Sequence, residues 1–263
     1  MKMILNADDF GYSDPTVEAT IKCFEIGALT SATIMPKMPA TDRAIAYAKS
    51  HPEFSFGAHL TFCSDGPETC LSPPEAIPSL ALQSGQFKPS NTVRRLALCG
   101  QIPVSQIAEE LRRQLGFLKD HNLKLSHVDS HGHLHKFGPF RAALEQILPQ
   151  FSLNRVRNVQ DVYVSKDCYS SPTYWLGPFW RRKLMRAFRT TDHLYLPAST
   201  TDALWPTRIA STITRRAKSI ETLEIGLHPG YMHNWWEDAI ETIQSFAAAA
   251  RALNTPLISW NDI

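Results

Sequence analysis

Several short apolar stretches in this chain end in acids or histidines, and that repetition restricts the fold more than any other feature. Met3 to Ala7 runs into Asn6-Ala7-Asp8-Asp9-Phe10-Gly11, and Phe54 to Leu60 carries His59 within Gly57-Ala58-His59-Leu60. Leu125 to Asp129 enters Ser126-His127-Val128-Asp129-Ser130-His131-Gly132-His133-Leu134-His135, and Leu223 to Leu227 is followed by His228-Pro229-Gly230. Each stretch reads as a β-strand. A parallel sheet brings the polar ends of such strands to one rim, where imidazoles and carboxylates can share a metal ion.

Helix signals fill the intervals. Ser13-Asp14-Pro15 offers an N-cap with proline in the first turn, and Val17 to Ile26 is amphipathic until Gly27. Leu29 to Met35 reads as a second strand, and Thr41-Asp42 as a cap for a helix to Ser50. A helix from Ser105 to about His121 has Ile107, Leu111, Leu115 and Leu118 on one face. Further on come a helix from Phe140 to Leu148, a strand around Arg155-Val156-Arg157, a helix over Thr207–Lys218, a helix over Trp236–Leu253 and a last strand over Pro256–Trp260.

Two stretches, about 64–103 and 159–200, break the alternation and read as irregular insertions at the rim. This predicts an α/β fold: a distorted or incomplete TIM-type (β/α) barrel of six to eight parallel strands, in a single domain over 1–263. A dinucleotide-binding sheet is excluded by the lack of GxGxxG after the first strand, which ends in acids instead.

The net charge of +2 on 263 residues gives no broad field for nucleic acid. The start lacks a secretory signal and no run approaches a membrane span, so a cytoplasmic protein is expected. Five scattered cysteines without CxxC spacing argue against a disulfide framework and against a thiolate zinc site.

Neighbouring aspartates on a strand point to different sides, so Asp8 and Asp9 can divide two tasks, one on a cation and the other free as a base. A cap or turn pair is the plainer alternative. His127, Asp129, His131, His133 and His135 share one parity and line one face if the backbone stays extended, which favours metal binding over a surface tract. A purely structural zinc site would close four protein ligands and needs no reserve of acids. His59 and His228 taken alone fit a satisfied rim residue and a turn as well as a functional role.

In order and spacing, Asn6-Ala7-Asp8-Asp9-Phe10-Gly11, Gly57-x-His59-Leu60, His127-x-Asp129-Ser130-His131-x-His133-x-His135 and His228-Pro229-Gly230-Tyr231 resemble the YdjC/ChbG-type carbohydrate deacetylases. The similarity reaches Leu257-Ile258-Ser259-Trp260 at the end. It implies a barrel-like fold and removal of the N-acetyl group from an amino sugar or oligosaccharide, with a divalent metal ion, Mg2+ or Zn2+, as cofactor. It also implies Asp9, His59 and His131 as ligands, Asp8 as the base, and His228 as proton donor or substrate-positioning group. His127, Asp129, His133 and His135 would then orient ligands or line the pocket. Ala58, Cys63 and residues 159–200 depart from the family's pattern, which bears on the substrate rather than the reaction.

Arg157 is placed either to steer Asp8 or bind substrate, or is an ordinary surface arginine. Trp235 and Trp236 are candidates for stacking on a sugar ring, with a core role for one of them the alternative. Read as a helix, residues 174–189 set Trp180, Leu184 and Phe188 in an apolar stripe beside five cations. That pattern is suited to peripheral membrane contact and a lipid-linked saccharide, although ordinary packing or a homodimer contact is the favoured reading. Two other function classes remain: an amidohydrolase or phosphoesterase on a similar barrel, whose HxH at the first strand is missing here, and a metal-holding binding protein without turnover.

Overall fold

The structure, a computed structural model, describes residues 1–163, 172–197, 211, 221–230 and 236–263, of which 236–239 as backbone only. Six strands form one parallel sheet: β1 (Lys2–Phe10), β2 (Ser31–Ile34), β3 (Ser55–Leu60), β4 (Val128–Ser130), β5 (His193–Tyr195) and β6 (Thr222–Leu227), in the order β4-β3-β2-β1-β6-β5. Almost every strand residue is buried, as expected when helices cover one face and the curl of the sheet encloses the other. The two edge strands approach through residues 155–157: Val128 bridges Val156 and Arg155 bridges Arg189. Among the described residues only isolated bridges cross that seam, so the barrel is incomplete, as its sequence predicts.

Among the described residues the helices are α1 (Asp14–Glu25), α2 (Thr41–Ser50), α3 (Ser90–Leu98), α4 (Val104–Asp120), α5 (Gly138–Ile147), α6 (Pro172–Ala187) and α7 (Trp236–Ala252). Ser13 caps α1 as its position before Asp14-Pro15 implies, its side chain accepting from the Thr16 amide. Thr41 does not cap α2. Ala40 occupies that position, and the Thr41 hydroxyl instead accepts from the Met38 amide and donates to the Met35 carbonyl, tying the preceding turn. Between α1, α2 and β3 the rings of Phe10, Phe24, Tyr47, Phe54 and Phe56 pack together, with Phe24 and Phe54 stacked at 4.4 Å.

Some expected elements differ. The stretch 64–103 is not wholly irregular: it holds α3 and a short 3-10 turn, Pro74–Ala76, over buried Ile77, Leu80, Phe87 and Val93. Its proline-rich backbone lacks a ladder, and buried Glu110 of α4 supplies acceptors to the Leu71 and Ser72 amides at 3.0 and 2.8 Å. The expected strand at Pro256–Trp260 reduces to one bridge, Leu257 to Met3, before Trp260 opens a 3-10 turn closed by a Ser259–Asp262 capping box. The helix expected over Thr207–Lys218 lies outside the described residues, save Ser211.

Helix α6 agrees with ordinary packing for the apolar stripe read in residues 174–189. Trp180 and Leu184 are buried and Phe188 packs on the core, so the expected apolar stripe faces inward. The exposed face carries Trp175 and Phe179, 68% and 60% exposed, with Leu176 and Met185. Among the described residues no helix is long and apolar enough to cross a membrane.

Gly57 in β3 lets β4 approach, because a Cβ built there would lie 2.7 Å from both the His127 ring and its carbonyl oxygen. The carbonyl belongs to the ladder and cannot yield cheaply. Gly57→Ala is expected to destabilise the protein by about 1–3 kcal/mol, read from urea unfolding.

Candidate functional site

Asp8 and Asp9 leave the C-terminal end of β1 where its register with β2 shifts between Ala7 and Phe10. Asp9 adopts φ 57°, a left-handed conformation that a non-glycine residue rarely holds. A regular strand would send the two carboxylates to opposite faces. The irregularity instead turns both inward: an oxygen of each lies within 4.8 Å of a His59 ring nitrogen.

Asp9, His59 and His131 converge. Asp9 Oδ1 lies 3.0 Å from His59 Nε2 and 3.2 Å from His131 Nδ1, while Asp9 Oδ2 is buried without a hydrogen-bond partner. The β3–β4 register sets His59 beside Asp129, and His59 Nδ1 contacts Asp129 Oδ1 at 2.8 Å. A proton on Nδ1 leaves Nε2 free to donate its lone pair to a cation, the usual carboxylate–imidazole–metal arrangement. Burial lowers the His59 pKa, but Asp129 and Asp9 more than offset it and raise it well above the ordinary value. Two imidazoles and a carboxylate with an orphaned oxygen fit a divalent cation.

Asp8 turns to the same centre but takes a different partner. Its two oxygens accept from Arg157 Nη1 and Nη2 at 2.5 and 2.7 Å, and Oδ1 also accepts from Asn6 at 3.0 Å. Burial raises the Asp8 pKa, yet the Arg157 charge overcomes it and holds the carboxyl well below the usual carboxylate range. Arg157 is not a surface arginine. It is fully buried and pairs also with Asp129 at 2.7 Å and Glu224 at 2.8 Å. Three acids on one guanidinium leave an excess of negative charge, and burial pushes Glu224 up to about 7 against the pull of Arg157. His228, at the end of β6, sets Nε2 3.8 Å from Asp8 Oδ2 and is about one-third exposed.

The same-parity histidines do not line one face. β4 ends at Ser130, and Gly132 and His133 both take left-handed angles, φ 64° and 54°, in a 3-10 turn. His131 alone of the run reaches the Asp9 pair. His127 lies in the core, its ring stacked on Trp260 at 4.3 Å, with Nδ1 2.8 Å from Ser126 Oγ. His135 is buried, 2.8 Å from Ser130 Oγ, and half-buried His133 borders a neighbouring cavity. Trp235 and the Trp236 side chain lie outside the described residues.

Sequence reasoning missed Asp65 and Glu68. His131 Nε2 lies 3.7 Å from a carboxylate oxygen of each, and both Nε2 and Glu68 Oε1 are buried without a hydrogen-bond partner. Glu68 Oε2 accepts from the Asp65 and Gly66 amides and the Ser64 hydroxyl, folding the loop beneath the imidazole. Acids among prolines and glycines carry no periodic signal. Only their distance from a strand-end histidine, once folded, marks them. Glu224 was missed because it sits inside an apolar strand, where a sole acid already needed a buried cation as partner.

Burial drives the His135 pKa down to about 3, with the Arg157 charge adding to it. The unfolded chain, with a pKa of 6.5, therefore takes up this proton first as the pH falls. The neutral ring's contribution is fully present above the unfolded pKa and declines below it. His135→Gln is expected to flatten the fall in stability by about 2 kcal/mol between about pH 6.5 and 5, read by urea unfolding at both pH values.

Residues 2–255 match the family described as YdjC-like protein. A carbohydrate deacetylase of Brevibacillus brevis is 39% identical over 136 residues, 51% of this chain and 50% of that protein. One of Geobacillus stearothermophilus is 36% identical over 150 residues, 57% of each chain. The chain thus spans little more than half the length of these curated relatives. The crystal structure of a candidate cellobiose-phosphate cleavage protein from Enterococcus faecalis has the same fold, with a TM-score of 0.80 at 20% identity over 99% of this chain and 98% of that one. With a match that runs from the first strand past the end of α7, this chain belongs to the YdjC-like protein family.

Proposed function

We propose that this protein is a metal-dependent hydrolase that removes the N-acetyl group from an N-acetylated amino sugar or oligosaccharide. The observation that carries this reading is the meeting of Asp9 Oδ1 with His59 Nε2 and His131 Nδ1 at 3.0 and 3.2 Å, with the Arg157-held Asp8 beside them. The carbohydrate deacetylases among its relatives support the same reaction class.

Asp9, His59 and His131 would hold the divalent cation, and Asp129, Asp65 and Glu68 would orient the two imidazoles. When bound, such a cation polarises an amide oxygen and lowers the pKa of water. Asp8 is ionised at neutral pH, the state in which a carboxylate can accept a proton from the attacking water. Arg157 fixes the direction of its lone pairs by a two-point contact and in return limits its basicity. His228, partly exposed and within 3.8 Å of Asp8, is positioned to give a proton to the departing amine or to orient the sugar. The exposed Trp175 and Phe179 of α6, beside Arg182 and Arg186, are the part of residues 174–189 suited to peripheral contact with an anionic lipid surface.

The full chain with measured metal content, given a panel of N-acetylated saccharides, is expected to release acetate and to stop when a chelator removes the metal. Asp8→Asn should retain the metal and lose activity by about 100- to 10,000-fold. Metal retention without acetate release by the parent protein would leave a binding protein instead. Vesicles rich in anionic lipid are expected to carry the protein on flotation, and Arg182→Gln with Arg186→Gln to abolish it; flotation unchanged by that pair would reject the membrane contact.

A further inference from the structure

The reaction above gives Cys63 no role, although its thiol is buried beside His131. Cys63 lies between the end of β3 and the loop that carries Asp65 and Glu68. Its Sγ, a carboxylate oxygen of Asp65 and a ring nitrogen of His131 all lie within 4.8 Å of one another. Asp65 and Glu68 each set an oxygen 3.7 Å from His131 Nε2, and Nε2 and Glu68 Oε1 are buried without a hydrogen-bond partner. That separation exceeds the roughly 3.2 Å limit of an ordinary hydrogen bond and approaches the roughly 3.4 Å between two ligands of a tetrahedral zinc ion. Asp65 is exposed, so this side of the imidazole is open to an ion from solvent.

A neutral imidazole has one lone pair. When His131 Nδ1 donates to Asp9 Oδ1, at 3.2 Å, that lone pair lies on Nε2 and points at two carboxylates, a repulsion that a cation between them would remove. The charges of Asp65, Glu68 and Asp9 all act on Cys63, with the Arg94 charge opposing them, so the balance at the sulfur favours a cation. Burial pushes the Cys63 thiol up to about 12, and without a cation the sulfur keeps its proton. Coordination exchanges the two: the cation bonds to sulfur, the thiol proton leaves to solvent, and nothing is oxidised. Thiolate beside imidazole and carboxylate selects soft or borderline cations such as cadmium and zinc over Mg2+.

We propose that Cys63 Sγ, Asp65 and His131 Nε2, with Glu68 Oε1 behind them, form a second position for a thiophilic divalent cation, and that its occupation is inhibitory. His131 serves the Asp9–His59 side through Nδ1 or the Cys63 side through Nε2, and one lone pair cannot serve both. A cation on the Cys63 side therefore leaves the first position with two protein ligands. The inhibition rests on the deacetylase reading; the second position does not.

Titration of the full chain with Cd2+, followed by the ultraviolet absorption of thiolate-to-cadmium charge transfer, reads the second position without any need for acetate release. A saturable band is expected that Cys63→Ser removes and Mg2+ does not produce, with affinity weakened about tenfold in Asp65→Asn. Asp65 is exposed, so its substitution keeps the test valid if Cys63→Ser does not fold. Acetate release is expected to fall as the band grows, and Cys63→Ser to withstand about tenfold more Cd2+. No band in the parent, a band retained in Cys63→Ser, or equal affinity in the parent and Asp65→Asn would overturn the second position. Acetate release undiminished at a saturated band would overturn the inhibition. A parent that shows the Cys63-dependent band and releases no acetate defeats the deacetylase reading instead and leaves the second position standing.

Discussion

A single buried guanidinium holds this site together. Arg157, from the seam between the edge strands, meets Asp8 of β1, Asp129 of β4 and Glu224 of β6 with no exposure to solvent. Each partner carries the constraint outward. Asp129 sets the His59 ring, Asp8 is fixed beside it, and Glu224 accepts from the Trp260 indole, which stacks on His127. Removing one partner from such a buried set strands the remaining charge, at about 3–5 kcal/mol. The incomplete barrel is thus tied across its inside by ionic contacts where regular ladder hydrogen bonds are missing.

Backbone irregularity does the rest of the positioning. Asp9 at φ 57° and the Gly132–His133 pair at φ 64° and 54° are left-handed turns at the ends of β1 and β4. The first turns neighbouring carboxylates to one centre. The second ends the strand so that His131 reaches Asp9 while His133 and His135 turn elsewhere. Such conformations persist only where surrounding contacts over-determine them, and here the His131–Asp9 contact and the Ser130–His135 pair do so.

Charge is divided across the rim. Acids crowd the Asp9–His59–His131 centre from below and from the loop that carries Asp65 and Glu68. Cations gather one turn away, in the cavity between α3 and α6. Both sets of rim residues come from the first insertion and the turn after β4, while the sheet supplies Asp8, Asp9, His59 and Asp129. The division suits a scaffold that keeps the reacting centre rigid and varies the surroundings by loop.

The alternation of strands and helices outside the two insertions, the parallel sense of the strands and the gathering of Asp8, Asp9, His59, Asp129 and His131 at strand ends follow from the sequence alone, because apolar periodicity and caps are local signals. Helix α3 escaped since nine residues between proline-rich turns show too little period. Tertiary structure decided which histidine of the run meets Asp9, that Arg157 is buried, and that Glu68 lies under His131. Those outcomes depend on a left-handed turn and on contacts between residues as distant as Asp8 and Arg157, and spacing along the chain encodes neither.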